Sequence, residues 1–127
     1  MKTILVGEDN PANLQLMREL LDTLGYAVVE AVDGEEVLQK VATAQPDLLL
    51  LDIQMPKLDG YAVLKRLRQN SRYDGLRVVA LTAYAMRGDA AKGLAAGFDD
   101  YITKPINLAD LRTKLGTLLA ERSKADG

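Results

Sequence analysis

The sequence contains neither cysteine nor histidine, and each absence excludes certain kinds of chemistry. Without cysteine the chain can form no disulfide, no zinc-thiolate site and no thiol nucleophile. Without histidine it lacks the most common general base and metal ligand, and it cannot carry a phosphohistidine. Any metal ion that it binds is therefore expected to be a hard cation that prefers oxygen ligands.

The chain also lacks a strong charge of either sign and long apolar runs. Its 16 basic and 18 acidic residues give a net charge of −2, and no basic cluster resembles a nucleic-acid site. No apolar stretch reaches the roughly 18 residues needed to cross a membrane, and the apolar start of the chain is too short for a signal peptide. We therefore expect a cytoplasmic protein that binds neither membranes nor nucleic acid directly.

The pattern of apolar residues predicts the fold class. The 127 residues are 48% apolar, which fits one domain with a substantial core, and apolar runs alternate five times with segments of helical periodicity. This alternation predicts an α/β fold with a doubly wound parallel sheet and helices on both faces, in a three-layer sandwich. The flavodoxin-like strand order 2-1-3-4-5 is the preferred topology. The five strands are predicted at residues 3–6, 27–31, 48–51, 78–81 and 100–103.

Capping and stop residues mark the ends of the five predicted helices. The fourth helix, at about 86–96, is expected to be the least stable, because Gly88 and Gly93 inside it each cost about 1 kcal/mol relative to alanine. The marks elsewhere are N-caps at Asn10, Asp33 (with Glu36 as its N3 partner) and Asn107, a first-turn proline at Pro11, a C-terminal glycine at Gly25 and a stop at Pro46. The inner face of the fifth helix is predicted to comprise Leu108, Leu111, Leu115, Leu118 and Leu119.

Polar residues follow four of the predicted strands at their carboxyl ends, where doubly wound sheets bind ligands. Glu8 and Asp9 follow the first strand and Asp52 the third, while Thr82 and Lys104 follow the fourth and fifth. If the first and third strands are neighbours, three carboxylates meet at one edge and repel one another. A divalent cation would relieve that repulsion. Magnesium suits such a site, because it prefers few protein oxygens, several waters and a phosphate as its ligands.

This arrangement favours phosphoryl transfer. The carboxylate of Asp52 can act as a nucleophile that forms an aspartyl phosphate, with Lys104 and Thr82 near the phosphoryl oxygens. Each residue alone also has an ordinary structural interpretation. An acidic pair before a helix can simply favour the helix dipole, and an aspartate that ends a strand is often a turn residue. The prediction rests on the conjunction of these residues at one edge of the sheet.

Five segments in this order and spacing resemble the receiver domain of two-component response regulators, over essentially the whole chain. The resemblance implies a switch protein that catalyses only its own phosphorylation and dephosphorylation. A histidine kinase or histidine phosphotransfer protein would donate the phosphoryl group, since the chain has no histidine of its own. The segments are 5–10 (LVGEDN), 51–56 (LDIQMP), 59–60 (DG), 81–83 (LTA) and 101–105 (YITKP).

The resemblance also implies roles for single residues. Asp52 matches the phosphoryl acceptor and Asp9 a direct magnesium ligand, while Glu8 matches an acidic residue that acts through water. Gln54 matches the position whose backbone carbonyl binds the metal. The remaining matches are Thr82 as the hydroxyl residue that reorients toward the phosphoryl group, Tyr101 as the aromatic switch, and Lys104-Pro105 as a lysine followed by a cis peptide bond. Gly7 departs from the pattern, because many relatives have a larger apolar residue there.

The resemblance suggests an organisation and a way of signalling. Residues 1–122 would form the receiver domain and 123–127 a short tail without an output domain. A downstream protein would then bind the face formed by the predicted fourth helix, fifth strand and fifth helix, and the chain would be a monomer or a weak dimer. Alternatives are a receiver cut from a hybrid histidine kinase, a flavodoxin-like flavin carrier, an aspartate-nucleophile phosphatase and a receiver that works unphosphorylated. The flavin carrier is disfavoured because Glu8 and Asp9 would repel its phosphate.

Overall fold

The computed structural model describes residues 2–55, 57–82 and 97–126. Strands and helices alternate along the chain as the apolar pattern predicts. In chain order the described elements are β1 (Thr3–Gly7), α1 (Pro11–Thr23), β2 (Ala27–Ala31), α2 (Gly34–Ala44), β3 (Leu48–Asp52), α3 (Gly60–Arg68), a short 3-10 helix (Ser71–Tyr73), β4 (Arg77–Thr82), β5 (Asp100–Thr103) and a C-terminal helix (Leu108–Asp126).

The five strands form one parallel sheet in the order β2-β1-β3-β4-β5, which confirms the predicted topology. The register pairs Gly7 with Leu51 and Asp52 with Leu81. The carboxyl ends of β1, β3 and β4 therefore lie side by side. Both Asp52 and Thr82 are the last residues of their strands, because β3 extends one residue beyond the predicted end and β4 is one residue longer at each end than the apolar run predicts.

Two apolar cores cover the two faces of the sheet. The four leucines of β3 are fully buried, and they alternate between the cores because successive strand residues point to opposite faces. Fully burying a leucine side chain contributes about 2 kcal/mol, so this strand is a major source of stability. One core lies between the sheet, α1 and the C-terminal helix, and the other lies between the sheet, α2 and α3.

The predicted helix ends are present in the structure. The side chain of Asn10 accepts hydrogen bonds from the backbone N–H groups of Ala12 and Asn13, and Pro11 occupies the first helical position. Gly25 follows α1 with a φ of 87°, a left-handed conformation that glycine adopts without a Cβ clash. The other two predicted N-caps are also present. The Asp33 side chain accepts a hydrogen bond from the Glu36 N–H, and the Asn107 side chain accepts one from the Asp110 N–H.

The structure corrects the predicted burial of Leu108 and shows how the space beside Gly7 is filled. Leu108 is only half-buried and is not part of either core, since it is the first helical residue, one turn before burial begins at Leu111. At Gly7, a Cβ atom would lie 2.8 Å from Val37 Cγ2 and 3.1 Å from Leu51 Cδ1, so these side chains fill the space that a larger residue would occupy. The predicted fourth helix, at 86–96, lies outside the described residues.

Among the described residues, no helix combines the length and the apolar composition that crossing a membrane requires.

Candidate functional site

Three carboxylates meet at the carboxyl edge of the sheet. Glu8, Asp9 and Asp52 each place a carboxylate oxygen within 4.8 Å of the other two. The register that pairs Gly7 with Leu51 brings the residues after them together, and the Glu8 N–H donates to Ala31 O at 3.0 Å. Glu8 and Asp52 are only 1% and 6% exposed, whereas Asp9 is exposed to solvent.

Lys104 lies between the two buried carboxylates. Its Nζ atom is 3.0 Å from Glu8 Oε2 and 2.9 Å from Asp52 Oδ2. Its backbone N–H donates to Thr82 O at 2.8 Å, and its peptide bond to Pro105 is cis. The hydrogen bond to Thr82 O fixes the loop after β5 to the end of β4, and the lysine side chain reaches across to the ends of β1 and β3.

The other oxygens of the buried carboxylates also accept hydrogen bonds. Asp52 Oδ1 accepts from the Gln54 backbone N–H at 3.0 Å. Glu8 Oε1 accepts from the Asn10 backbone N–H at 3.2 Å and from the Asn13 side-chain amide at 3.4 Å. Sequence reasoning did not identify Asn13 as part of the site. Its position in the first turn of α1, directly after the acidic pair, is the signal that could have revealed it.

Burial and the charges of neighbouring groups shift the pKa values of Glu8 and Lys104. Burial is the main cause that raises the pKa of Glu8, and the neighbouring Asp52 raises it further, against the opposing effect of Lys104. Burial lowers the pKa of Lys104, but its hydrogen bonds and charge interactions with Asp52 and Glu8 outweigh this and raise it. The lysine is therefore held in its charged form between the two carboxylates.

The two predicted switch residues lie on β4 and β5. Thr82 is 5% exposed and ends β4, one residue beyond the partner of Asp52. Tyr101 is half-buried on β5, where it pairs with Ala80, two residues before Thr82, and packs against the core on the α2 and α3 side. Both residues thus belong to the strands that border the carboxylate site.

The family model of the response regulator receiver domain matches residues 4–116. This chain belongs to the response regulator receiver family. It is accordingly a receiver domain of two-component signalling, and the resemblance inferred from the five sequence segments is confirmed.

Several receiver proteins are similar over most of the chain. The polar-differentiation response regulator DivK of Brucella anthropi is 36% identical over 84% of this chain and 87% of its own length. The transcriptional regulator RpaA of Synechocystis sp. is 38% identical over 94% of this chain but only 49% of that protein. The chain thus spans about half the length of RpaA and most of the length of DivK.

A solved receiver structure bears on the metal. The receiver domain of the sensor histidine kinase PA1611 from Pseudomonas aeruginosa aligns with a TM-score of 0.87 and 34% identity, over 94% of this chain and 98% of that one. In that structure a magnesium ion is coordinated in the active site cleft. The receiver described here offers three carboxylates in reach of one another, one of them open to solvent, and this set of hard oxygen donors suits magnesium.

Proposed function

We propose that this receiver domain is a phosphorylation-activated switch that accepts a phosphoryl group on Asp52. The observation that carries the proposal is the position of Asp52 at the end of β3, between the Lys104 ammonium and two further carboxylates. The donor would be a phosphohistidine of a histidine kinase or a histidine phosphotransfer protein, since this chain contains no histidine. The domain would act as a catalyst only on itself.

The acidic residues at the edge of the sheet would hold magnesium. The carboxylates of Asp9 and Asp52 and the backbone carbonyl of Gln54 would be its protein ligands, with Glu8 acting through a water. Bound magnesium would neutralise charge on the carboxylates and on the phosphoryl oxygens. Support comes from the three clustered carboxylates, and from the exposed Asp9, which leaves the cluster open to solvent.

The residues of the chain would carry the transfer as follows. An Asp52 carboxylate oxygen forms a bond to phosphorus while the bond from phosphorus to the donor histidine nitrogen breaks. Both Asp52 oxygens already accept hydrogen bonds, from the Gln54 N–H and from Lys104 Nζ, so the carboxylate is fixed in orientation before the reaction. The Lys104 ammonium, already beside Asp52 Oδ2, would then contact a phosphoryl oxygen. Attack by water later returns phosphate and the free carboxylate.

Phosphorylation would be transmitted through Thr82 and Tyr101. The Thr82 hydroxyl would move toward the phosphoryl group, and the Tyr101 ring would occupy the space that it leaves. This is a two-state repacking, biased by the phosphoryl charge. A downstream protein would bind the surface formed by β5, the C-terminal helix and residues 86–96, the last of which lie outside the described residues.

We further propose that residues 1–122 form the receiver unit, with 123–127 as a short tail, and that the protein is a cytoplasmic monomer or weak dimer. The family match over residues 4–116 lies within the proposed receiver unit, and the C-terminal helix continues to Asp126, so most of the proposed tail extends that helix. A receiver from a hybrid histidine kinase is the second candidate, because the PA1611 domain, which comes from a sensor kinase, is as similar as the separate regulators. A search for kinase activity in the native full-length product would distinguish the two settings.

Intact-mass analysis after incubation with a small phosphodonor tests the central proposal. With magnesium, the wild-type chain should gain the mass of one phosphoryl group, and the gain should disappear when the metal is chelated. Asp52→Asn should remain unlabelled. Asp74→Asn should be labelled like wild type, because Asp74 is exposed and precedes β4, at the amino ends of the strands. Equal labelling of Asp52→Asn and wild type would contradict the assignment.

A further inference from the structure

The C-terminal helix places a lysine against the aromatic residue of β5. Lys114 Nζ lies 4.4 Å from the centroid of the Tyr101 ring. The same ammonium donates a hydrogen bond to the Tyr101 backbone carbonyl. One side chain therefore contacts both the ring and the backbone of Tyr101, and an ammonium at this distance from the face of an aromatic ring is attracted by its π electrons.

Two carboxylates orient the Lys114 ammonium. Asp100 Oδ1 lies 3.7 Å from Lys114 Nζ, and Asp110 Oδ2 lies 4.0 Å from it. Asp100 Oδ1 also accepts the Tyr101 backbone N–H at 2.8 Å. β5 is the last strand of the sheet, so no strand among the described residues pairs with its outer side. Side chains of the same chain bind both backbone groups of Tyr101 instead. The Lys114 side chain is only 22% exposed, so water competes little for its contacts with Tyr101.

We infer that Lys114 is a positioning residue that holds the Tyr101 ring in the orientation seen in the structure. The inference rests on the proposed function, in which the Tyr101 ring changes its orientation when Asp52 is phosphorylated. A rotation of the ring away from its present orientation would lengthen the 4.4 Å contact with the ammonium, whereas the hydrogen bond to the backbone carbonyl does not depend on the ring. Lys114 therefore favours one of the two ring orientations and sets part of the free-energy difference that phosphorylation must overcome.

Two substitutions separate the charge of Lys114 from its apolar stem. Lys114→Met keeps a flexible side chain of similar length without the charge, so the population of the second Tyr101 orientation should rise about two- to fivefold, the effect of one partly exposed cation–π contact. Lys114→Arg keeps a cation that can lie over the ring, so it should restore the wild-type distribution. Lys65→Met, at an exposed position on α3, is the matched control for loss of a lysine.

The measurement is NMR of tyrosine-labelled unphosphorylated protein, with the Tyr101 ring signals assigned by Tyr101→Phe and its χ1 populations taken from couplings. A shifted distribution in Lys114→Met, with wild-type values in Lys114→Arg and Lys65→Met, supports the inference. An unchanged distribution in Lys114→Met overturns it, as does an equal shift in all three variants. Lys114→Met should still gain one phosphoryl group per chain, measured in parallel by intact mass, which shows that the site at Asp52 is intact. A failure to label wild type would refute the proposed function and leave the NMR result interpretable on its own.

Discussion

Replacing Lys104 with methionine should destabilise the domain and leave two buried carboxylates facing each other. The ammonium is 3.0 Å from Glu8 Oε2 and 2.9 Å from Asp52 Oδ2, and those side chains are 1% and 8% exposed. Methionine keeps most of the apolar stem, so the change removes mainly the positive charge. The hydrogen bonds from Gln54 and Asn10 would remain, but they do not neutralise either carboxylate.

The size of the effect follows from the burial of the pair. Removing one partner of a fully buried ion pair costs about 3–5 kcal/mol, because the other charge is left without compensation. Lys104 is 23% exposed, so water offsets part of this loss, and we expect a decrease of about 2–3 kcal/mol in the free energy of unfolding at pH 7.5. The exposed Lys65→Met control should change it by less than about 0.5 kcal/mol.

The pH dependence of this effect has a definite sign. The folded state raises the pKa of Glu8 above its ordinary value of 4.5, so ionised Glu8 disfavours folding. The stability associated with protonated Glu8 is fully present below pH 4.5 and is lost as the pH rises through the folded pKa. The part of the Lys104→Met penalty that comes from Glu8 should therefore decrease toward pH 4.5, while the part that comes from Asp52 remains, so the penalty should be smaller at pH 4.5 than at neutral pH. In wild type, the raised pKa of Lys104 predicts stabilisation below about pH 10.5 that is lost at higher pH.

Urea unfolding followed by circular dichroism in a chelating buffer measures these differences. Magnesium added to the same solutions should reduce the gap between Lys104→Met and wild type, because it supplies positive charge to the same carboxylates. If Lys104→Met matches wild type within about 0.5 kcal/mol at pH 7.5 with an unchanged m value, the lysine does not compensate these charges and the electrostatic account of the site is wrong.

Three further predictions concern the metal and the packing around Asp52. Magnesium at 100 times its dissociation constant should stabilise wild type by about 2.7 kcal/mol but should not stabilise Asp9→Ala, and equal stabilisation of both in urea titrations would exclude Asp9 as a ligand. Magnesium affinity, measured by calorimetry, should decrease as the pH falls through the raised pKa of Glu8. An affinity that does not change between pH 8 and pH 4.5 would contradict this. Gly60→Ala should lower the free energy of unfolding by about 1–3 kcal/mol and slow the labelling of Asp52, because the new Cβ would lie 2.9 Å from Asp52 O. Gly75→Ala should do neither, because a Cβ there would meet no atom within 4 Å. Similar behaviour of the two variants would refute the packing argument.

The strand order and the meeting of the carboxylates were predictable from the sequence. Four consecutive leucines before Asp52 indicated a strand buried on both faces, and a parallel sheet places the carboxyl ends of its strands at one edge. The acidic residues after β1 and at the end of β3 therefore had to lie close together once those strands were neighbours. Helix ends were predictable for a similar reason, because capping depends on residues only two or three positions apart.

Contacts that depend on side-chain torsions were not predictable. The sequence placed Lys104 near a phosphoryl group, but not between Glu8 and Asp52 in their free form. It also did not reveal that Asn13 donates to Glu8 or that Lys114 contacts the Tyr101 ring across the edge of β5. Leu108 was wrongly placed in the core, because periodicity fixes the face of a helix but not the turn at which that face meets the sheet.

Locating the phosphoryl group within the carboxylate cluster is the most direct test of the account. Three carboxylates lie within reach of one another, so a gain in intact mass alone does not identify the acceptor. Fragmentation of peptides from the labelled chain resolves it, because Glu8 and Asp9 lie at the start of the sequence and Asp52 in a separate peptide. We predict that the label is found on Asp52 and that its yield depends on magnesium. Label on Glu8 or Asp9, with Asp52 unmodified, would contradict the assignment of Asp52 as the phosphoryl acceptor.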